Sequence, residues 1–134
     1  MKQEIMNRVF NAALAVAISS EGTGKRNSYR LGAVLFDRIG KIVAAKTNSK
    51  KTHPTLSRYT DYPYLHAESA CVIGHGMDNC EGLSLIVVRV RRDGTIALSK
   101  PCDVCQAVMA RSGLEDVYYT TDGGQIECLT SPYR

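Results

Sequence analysis

The sequence predicts an α/β fold built on one mixed sheet of five strands, with helices on both faces of the sheet. Three observations predict it. Apolar residues near the start of the chain recur at helical spacing. Short β-prone runs bounded by turn residues follow them. One of these runs, Leu85 to Val88, is apolar at every position, which is typical of a strand buried on both faces of a sheet.

The first half of the chain predicts a helix, a hairpin and a long loop. Residues 2–18 carry Ile5, Val9 and Ala13 on one helical stripe. Residues 31–36 and 42–45 form two β-prone runs around an Asp-Arg-Ile-Gly turn. Residues 48–64 contain two prolines and predict a loop, and loops of this length within a compact domain are often functional.

The second half alternates between strands and helices and ends in another hairpin. A tight turn at Asp122-Gly123-Gly124 predicts an antiparallel final pair of strands. The main elements follow the order αββαβαββ, which predicts a mixed sheet with helices packed on it. The predicted elements are a helix at 65–74, a strand at 83–90, a brief return strand at 96–98, a helix at 101–111, and strands at 117–121 and 125–129.

Length and composition exclude several classes of protein. A chain of 134 residues fits one domain, so we expect residues 1–134 to fold together. With 44% hydrophobic and 22% charged residues, it resembles neither a disordered tail nor a coiled coil. Because no run approaches the roughly 18 apolar residues of a membrane span, we expect a soluble protein without a membrane partner. The mild charge fits a cytoplasmic protein. The net charge of +4 is compatible with a phosphate or with a polynucleotide.

The cysteines point to a metal or a catalytic cluster. Their number, five, is odd, so they cannot all pair within one chain, and we expect a reducing compartment. Cys102 and Cys105 form a Cys-x-x-Cys motif directly after Pro101. Proline at the first helical position would place both thiols in the first turn of a helix, where the helix dipole stabilises thiolates.

A second motif, His66-Ala67-Glu68, begins the other crossover helix. In α/β sheets crossover helices begin near the carboxyl ends of their strands, so we expect the two helix starts to meet. His66 would then complete a His/Cys/Cys set around Zn²⁺ and leave the fourth position to water, as in catalytic zinc sites. Glu68 would carry the proton. Taken alone, the Cys-x-x-Cys motif would equally fit a redox pair or a structural zinc site. Taken alone, His66 would equally fit an ordinary core or surface histidine.

The two motifs together, His-x-Glu and Pro-Cys-x-x-Cys, resemble the signature of the zinc-dependent cytidine and deoxycytidylate deaminase superfamily. The resemblance implies the cytidine-deaminase-like three-layer fold and a homo-oligomer. It also implies a role for each matching residue. His66, Cys102 and Cys105 would hold zinc, Glu68 would move protons, the Ala67 N–H would bind the base carbonyl, and Asn48 would contact the sugar or the base.

By this resemblance the substrate is cytosine in a free nucleoside or nucleotide, which is hydrolysed to uracil and ammonia. Lys51 and Arg58 would hold a 5′-phosphate, and His53 and Tyr64 would line the pocket. A first alternative is a base within single-stranded DNA or RNA, stacked on tyrosines of the long loop. A second is a non-catalytic binding module stabilised by zinc. The antiparallel final pair resembles the cytidine deaminase branch, whereas His66 as first ligand resembles the deoxycytidylate and polynucleotide branches.

The remaining cysteines have two interpretations. Cys71, His75 and Cys80 could belong to a second metal site. The alternative is that Cys71 is a small buried apolar side chain, as helical cysteines usually are, and the same expectation applies to Cys128.

Overall fold

The computed structural model describes residues 2–20, 22, 30–48 and 67–129, apart from the side chain of Val104. The longest described helix has 16 residues, and no helix among the described residues is long and apolar enough to cross a membrane. In chain order the elements are α1 (Gln3–Ile18), β1 (Arg30–Phe36), β2 (Ile42–Thr47), α2 (Ala67–His75), a 3-10 helix (Met77–Asn79), β3 (Ser84–Val90), β4 (Ile96–Ala97), α3 (Asp103–Ser112), β5 (Val117–Thr120) and β6 (Ile126–Leu129).

The strands form one mixed sheet in the order β2-β1-β3-β5-β6, and β4 pairs with β3 outside this path. Strands β3 and β5 are parallel, and the other described pairs are antiparallel. The predicted α/β fold is therefore confirmed, including the antiparallel final pair of β5 and β6. The predicted return strand also exists, as the two-residue β4, and it brings the sheet to six strands.

Strand β3 lies at the centre of the sheet and is buried on both faces. It pairs with β1 from Arg30↔Val90 to Phe36↔Ser84, and with β5 through its first half. Every residue of β3 is buried except Arg89, which is half-buried. The prediction from its apolar run is therefore confirmed, since an apolar side chain at each position is stable only where both faces are covered.

Two hydrophobic clusters cover the two faces of the sheet. Leu85 and Val87 of β3 pack on the side of α2 and α3, and Ile86 and Val88 pack on the side of α1. This alternation follows from the period of two along a strand. Each buried side chain of this size contributes roughly 1.5–3 kcal/mol relative to an exposed one. The result is the predicted three-layer arrangement of helix, sheet and helices.

Helix α1 approaches β1 so closely that only glycine fits at Gly32. A Cβ atom there would meet the carbonyl oxygen of Ala13 and the backbone nitrogen of Ala17, and would lie 3.0 Å from the Ala17 Cα. Ala13 and Ala17 are themselves fully buried. The small residues on the α1 stripe thus allow backbone to lie against backbone, which sets the spacing of this layer.

The start of α3 differs from the prediction by two residues. Helix α3 begins at Asp103, and Cys102 is its N-cap with extended backbone (φ −71°, ψ 169°). Pro101 therefore precedes the N-cap and does not occupy the first helical position. The physical reason lies upstream, because the Ser99 N–H donates to the Thr120 carbonyl at 2.9 Å and ties this segment to the end of β5 before the helix begins.

Ser99 and Thr120 form a buried hydroxyl pair that joins three strands. The Ser99 hydroxyl donates to the Val87 carbonyl at 2.8 Å and accepts from the Thr120 N–H at 2.7 Å. The Thr120 hydroxyl donates to the Ala97 carbonyl at 2.8 Å. Both residues are buried. The segment that leads into Cys102 is therefore anchored to β3, β4 and β5 by side-chain hydrogen bonds.

Gly32→Ala should destabilise the protein by about 3 kcal/mol or more, because the added methyl group meets helix backbone that cannot move aside. Gly74→Ala is the matched control. Its Cβ would lie 3.6 Å from the Lys46 Cε, an ordinary contact, and alanine should stabilise α2 by up to about 1 kcal/mol. Urea denaturation of both variants measures the difference. A Gly32→Ala variant as stable as the wild type would contradict the close approach of α1.

Thr120→Val should lower the free energy of unfolding by about 1–3 kcal/mol, because it removes a buried hydroxyl from the Ala97 carbonyl. Thr121→Val is the control. Its hydroxyl accepts a 3.2 Å bond from the Gln125 N–H in an exposed turn, so its loss should be about 0.5 kcal/mol or less. Thermal and urea unfolding measure both. Equal losses for the two variants would show that the hydroxyl pair does not anchor the segment.

Candidate metal and catalytic site

One edge of the sheet collects the ends of three strands. Gly32 near the start of β1 pairs with Thr47 at the end of β2, and Arg30 pairs with Val90 at the end of β3. Strand β5 runs parallel to β3 and ends at Thr120, which holds the segment leading into α3. This carboxyl-end edge is where α/β sheets form ligand crevices.

The starts of α2 and α3 meet at this edge. The Ser69 hydroxyl, in the first turn of α2, donates a hydrogen bond to the Cys105 sulfur in the first turn of α3, at 3.1 Å. Cys105 also shares a hydrogen bond with Cys102. The Glu68 carboxylate is near enough to act electrostatically on the Cys105 thiol, and it is 2% exposed. The structure thus brings Glu68, Cys102 and Cys105 together from positions more than thirty residues apart.

Electrostatics at this cluster favour the neutral form of Cys105. The hydrogen bond with Cys102 contributes most to raising the pKa of the Cys105 thiol, and burial and the negative charge of Glu68 raise it further. The Ser69 hydroxyl lowers the same pKa, because it donates to the sulfur. A buried carboxylate and a buried sulfur beside the exposed sulfur of Cys102 are a set of groups whose negative charges a divalent cation would neutralise.

The donor set fits part of a zinc site. Two adjacent sulfurs at a helix start are typical zinc ligands, and the exposed Cys102 leaves one side accessible. Within the described residues, no group of three or more His, Cys, Asp or Glu side chains could hold a metal ion. The third predicted ligand, His66, lies outside the described residues, directly before Ala67 in the sequence. Cys102 and Cys105 could therefore hold zinc together with His66.

Asn48 and Ala67 border the same region. Asn48 directly follows β2 and is 6% exposed, and its side-chain oxygen accepts from the Leu31 N–H at 3.0 Å and from the Ser20 hydroxyl at 2.9 Å. Ala67 is the first residue of α2 and is fully buried. The first N–H groups of an α-helix have no carbonyl partner within the helix, so this end of α2 can donate to a ligand.

The other predicted contacts lie outside the described residues. These are His53, Lys51, Arg58 and Tyr64, and their roles stay predictions. The homo-oligomer and the cytoplasmic location also stay predictions.

The remaining cysteines form no second metal site within the part of the chain that the structure describes. Among the described residues, Cys71, His75 and Cys80 do not make a group that could hold a metal. The Cys71 thiol donates to the Ala33 carbonyl at 3.2 Å, and burial, aided by Glu68, raises its pKa to about 12. Cys128 is exposed, so the prediction that it is buried was wrong. The reason is that β6 is the last strand of the sheet path and leaves side chains uncovered.

Sequence reasoning missed several residues that shape the site. Ser69 donates to Cys105, Ser20 donates to Asn48, and Ser99 and Thr120 anchor the segment before Cys102. Ser69 could have been suspected because it directly follows Glu68. The others carry no local signal, since serine and threonine are common in caps and turns.

A separate cavity of about 460 Å³ lies at the opposite edge of the sheet, where β3 and β5 begin. Its lining includes Phe36 and Tyr118 together with charges of both signs, among them the Arg38–Glu115 ion pair at 3.4 Å. None of the predicted site residues lines it. Because its charges are mixed, this cavity does not indicate a ligand of either sign, and the cluster of Glu68, Cys102 and Cys105 lies at the other edge.

Comparisons with known proteins bear on the family and the fold of this chain. A family model described as the cytidine and deoxycytidylate deaminase zinc-binding region matches residues 4–121. A search of curated proteins found no match. Among solved structures, the apo form of dCMP deaminase from the cyanophage S-TIM5 is similar in fold, with a TM-score of 0.62 and 23% identity over 90% of this chain and 86% of that chain. Because the family model spans most of the sequence, this protein belongs to the cytidine and deoxycytidylate deaminase family.

Proposed function

We propose that this protein hydrolyses the amino group of cytosine in a free nucleoside or nucleotide, giving uracil and ammonia, and that it depends on zinc. The observation that carries the proposal is the cluster of a buried carboxylate, Glu68, with the paired sulfurs of Cys102 and Cys105. Family membership supports the reaction class. The fold places this cluster at the sheet edge where ligands bind in α/β proteins.

In this proposal His66, Cys102 and Cys105 hold the metal. When bound, zinc supplies the Lewis acidity that makes hydroxide available near neutral pH. The Ser69 hydroxyl supports the ligand set, because its hydrogen bond to the Cys105 sulfur favours the thiolate and orients it. Such supporting hydrogen bonds commonly change metal affinity by about 10–100-fold.

Glu68 is the proton carrier in this reaction. It takes a proton from the attacking water and delivers it to the ring nitrogen of cytosine. It then takes the proton of the hydroxyl now bonded to C4 and delivers it to the amine, so that the C4–N bond breaks, ammonia leaves and the C4 carbonyl of uracil forms. Burial suits this role, because a carboxylate shielded from solvent exchanges its proton with the substrate in preference to bulk water.

Ala67 and Asn48 are the proposed substrate contacts among the described residues. The Ala67 N–H would donate to the base carbonyl from the start of α2, where helix N–H groups have no carbonyl partner within the helix. Asn48 would contact the sugar or the base from the end of β2. Lys51 and Arg58 would hold a 5′-phosphate, and His53 and Tyr64 would line the pocket.

Two other functions fit less well. A purely structural zinc site uses four protein ligands and has no need of a buried carboxylate beside it, whereas Glu68 is 2% exposed. A deaminase of bases within single strands is less favoured by the mild charge of +4 and by the antiparallel pairing of β5 with β6. A substrate screen distinguishes both alternatives from the proposed function.

Replacing a metal ligand and replacing the proton carrier should have different effects. The wild-type protein should contain about one zinc per chain. Cys102→Ala should lose the metal and the activity. Glu68→Gln, which keeps the size of the side chain, should keep the metal and lose at least about 100-fold in turnover. Metal analysis by mass spectrometry and an ammonia-release assay measure both. Full activity of Glu68→Gln would exclude Glu68 as the proton carrier.

A substrate screen distinguishes the proposed function from its alternatives. Ammonia release should be fastest with cytidine, deoxycytidine or their 5′-monophosphates, and slower with guanine and with single-stranded oligonucleotides, because we propose a site built for a free cytosine compound. The Glu68→Gln variant is the control for contaminating activity. Preference for oligonucleotides over every small substrate would instead favour the nucleic-acid alternative, and a zinc-loaded protein without any turnover would favour the binding module.

A further inference from the structure

Two buried polar side chains meet where α1 and β2 end. The Ser20 hydroxyl lies 2.9 Å from the side-chain oxygen of Asn48, although the two residues are 28 positions apart in the sequence. Ser20 is 5% exposed and Asn48 is 6% exposed. Hydrogen bonds in such a buried place hold a fixed geometry, because water does not compete for either partner.

The neighbouring backbone groups determine the direction of each hydrogen bond. The Leu31 N–H donates to the Asn48 side chain at 3.0 Å, so the amide atom at that position must be the oxygen. The Ser20 hydroxyl contacts the same amide oxygen, so the hydroxyl must be the donor of that bond, while its own oxygen accepts from the Gly22 N–H at 3.0 Å. The orientation of an asparagine amide is ordinarily assigned from its network, and here the Leu31 backbone donor decides it.

The orientation has a chemical consequence for Asn48. An amide oxygen accepts about two hydrogen bonds, and Leu31 and Ser20 supply two donors to it. A flipped amide would place its N–H groups against the Leu31 N–H. Any hydrogen bond from the Asn48 amide to a ligand therefore comes from its nitrogen as the donor, and it selects an acceptor atom on the ligand.

We infer that Ser20 is a positioning residue that locks Asn48 as a donor toward an acceptor oxygen of the substrate. The oxygen belongs to a sugar hydroxyl or to the base carbonyl. The inference rests on the proposed function, in which Asn48 contacts the substrate. It adds a residue at the end of α1 to the substrate site and gives Asn48 a defined polarity.

The chain offers a matched pair of serines for the test. Ser20→Ala should raise the KM for the best cytosine substrate on the order of tenfold with little change in kcat, because the amide loses one of the groups that orient it. Ser19→Ala is the control, since the Ser19 hydroxyl is exposed and donates to the Val16 carbonyl of its own helix at 2.7 Å. Its KM should equal that of the wild type. Thermal melting of both variants shows whether each is folded.

A double variant separates a positioning role from a merely structural one. If Ser20 acts through Asn48, then Ser20→Ala should change KM in the wild type and have no further effect in Asn48→Ala. Independent, multiplying effects of the two substitutions would overturn the inference. An unchanged KM in Ser20→Ala, while Asn48→Ala is impaired, would also overturn it and would leave the proposed function intact.

Asn48→Asp keeps the hydrogen bonds from Leu31 and Ser20 that position the side chain, and it removes the amide N–H groups that would donate to the substrate. One carboxylate oxygen can still accept from Leu31 and Ser20, while the other replaces the amide nitrogen and cannot donate. This variant should therefore bind substrate as poorly as Asn48→Ala, and wild-type kinetics would overturn the donor role. Normal kinetics of both Asn48 variants, or a wild-type protein that does not turn over any cytosine compound, would overturn the proposed contact together with the inference.

The identity of the acceptor oxygen follows from a substrate comparison. With deoxycytidine and 2′,3′-dideoxycytidine in parallel, a contact to the 3′-hydroxyl of the sugar predicts that the Ser20→Ala penalty disappears for the dideoxy compound. A contact to the base carbonyl predicts the same penalty for both. If Ser20→Ala raises KM more for the dideoxy compound than for deoxycytidine, the acceptor is neither the sugar hydroxyl nor the base carbonyl, and the inference is contradicted.

Discussion

Strand β3 holds the molecule together, because it pairs with β1 along its whole length and with β5 in its first half while both of its faces are buried. An apolar side chain at nearly every position requires a helix layer on each side of the sheet. Helix α1 covers one face through small residues that lie against Gly32, and α2 and α3 cover the other. At its far end β3 pairs with β4, from which the chain continues toward Cys102.

The site depends on this arrangement, because burying any one of its ionisable side chains without a partner would cost free energy. Glu68 and Cys105 lie in a place that water scarcely reaches, and their mutual effect opposes ionisation of the thiol. The Ser69 hydroxyl acts in the other direction, since it donates to the Cys105 sulfur. A bound cation would reverse this balance, because its positive charge would favour the thiolate over the thiol.

Much of this could be predicted from local patterns. The spacing of Cys102 and Cys105, and of Ala67 and Glu68, is local along the chain and survives in the first turns of α3 and α2. The turn before β6 likewise determined its antiparallel pairing. The predicted start of α3 was two residues early, because Pro101 favours a helix start locally whereas the bond from Ser99 to Thr120 keeps the segment extended.

The sequence by itself determined the fold class and the residues at the two helix starts, since each depends on periodicity or on spacing within a few residues. The family followed from the resemblance of the two motifs to a known signature, and the family model confirms it. Only the tertiary structure decided which hydroxyls donate hydrogen bonds to the candidate site residues. Ser69 reaches Cys105 across 36 positions, and Ser20 reaches Asn48 across 28. Such pairs leave no periodic trace, because a serine is compatible with many environments and its hydrogen bond acquires a direction only when the fold brings its partner within reach.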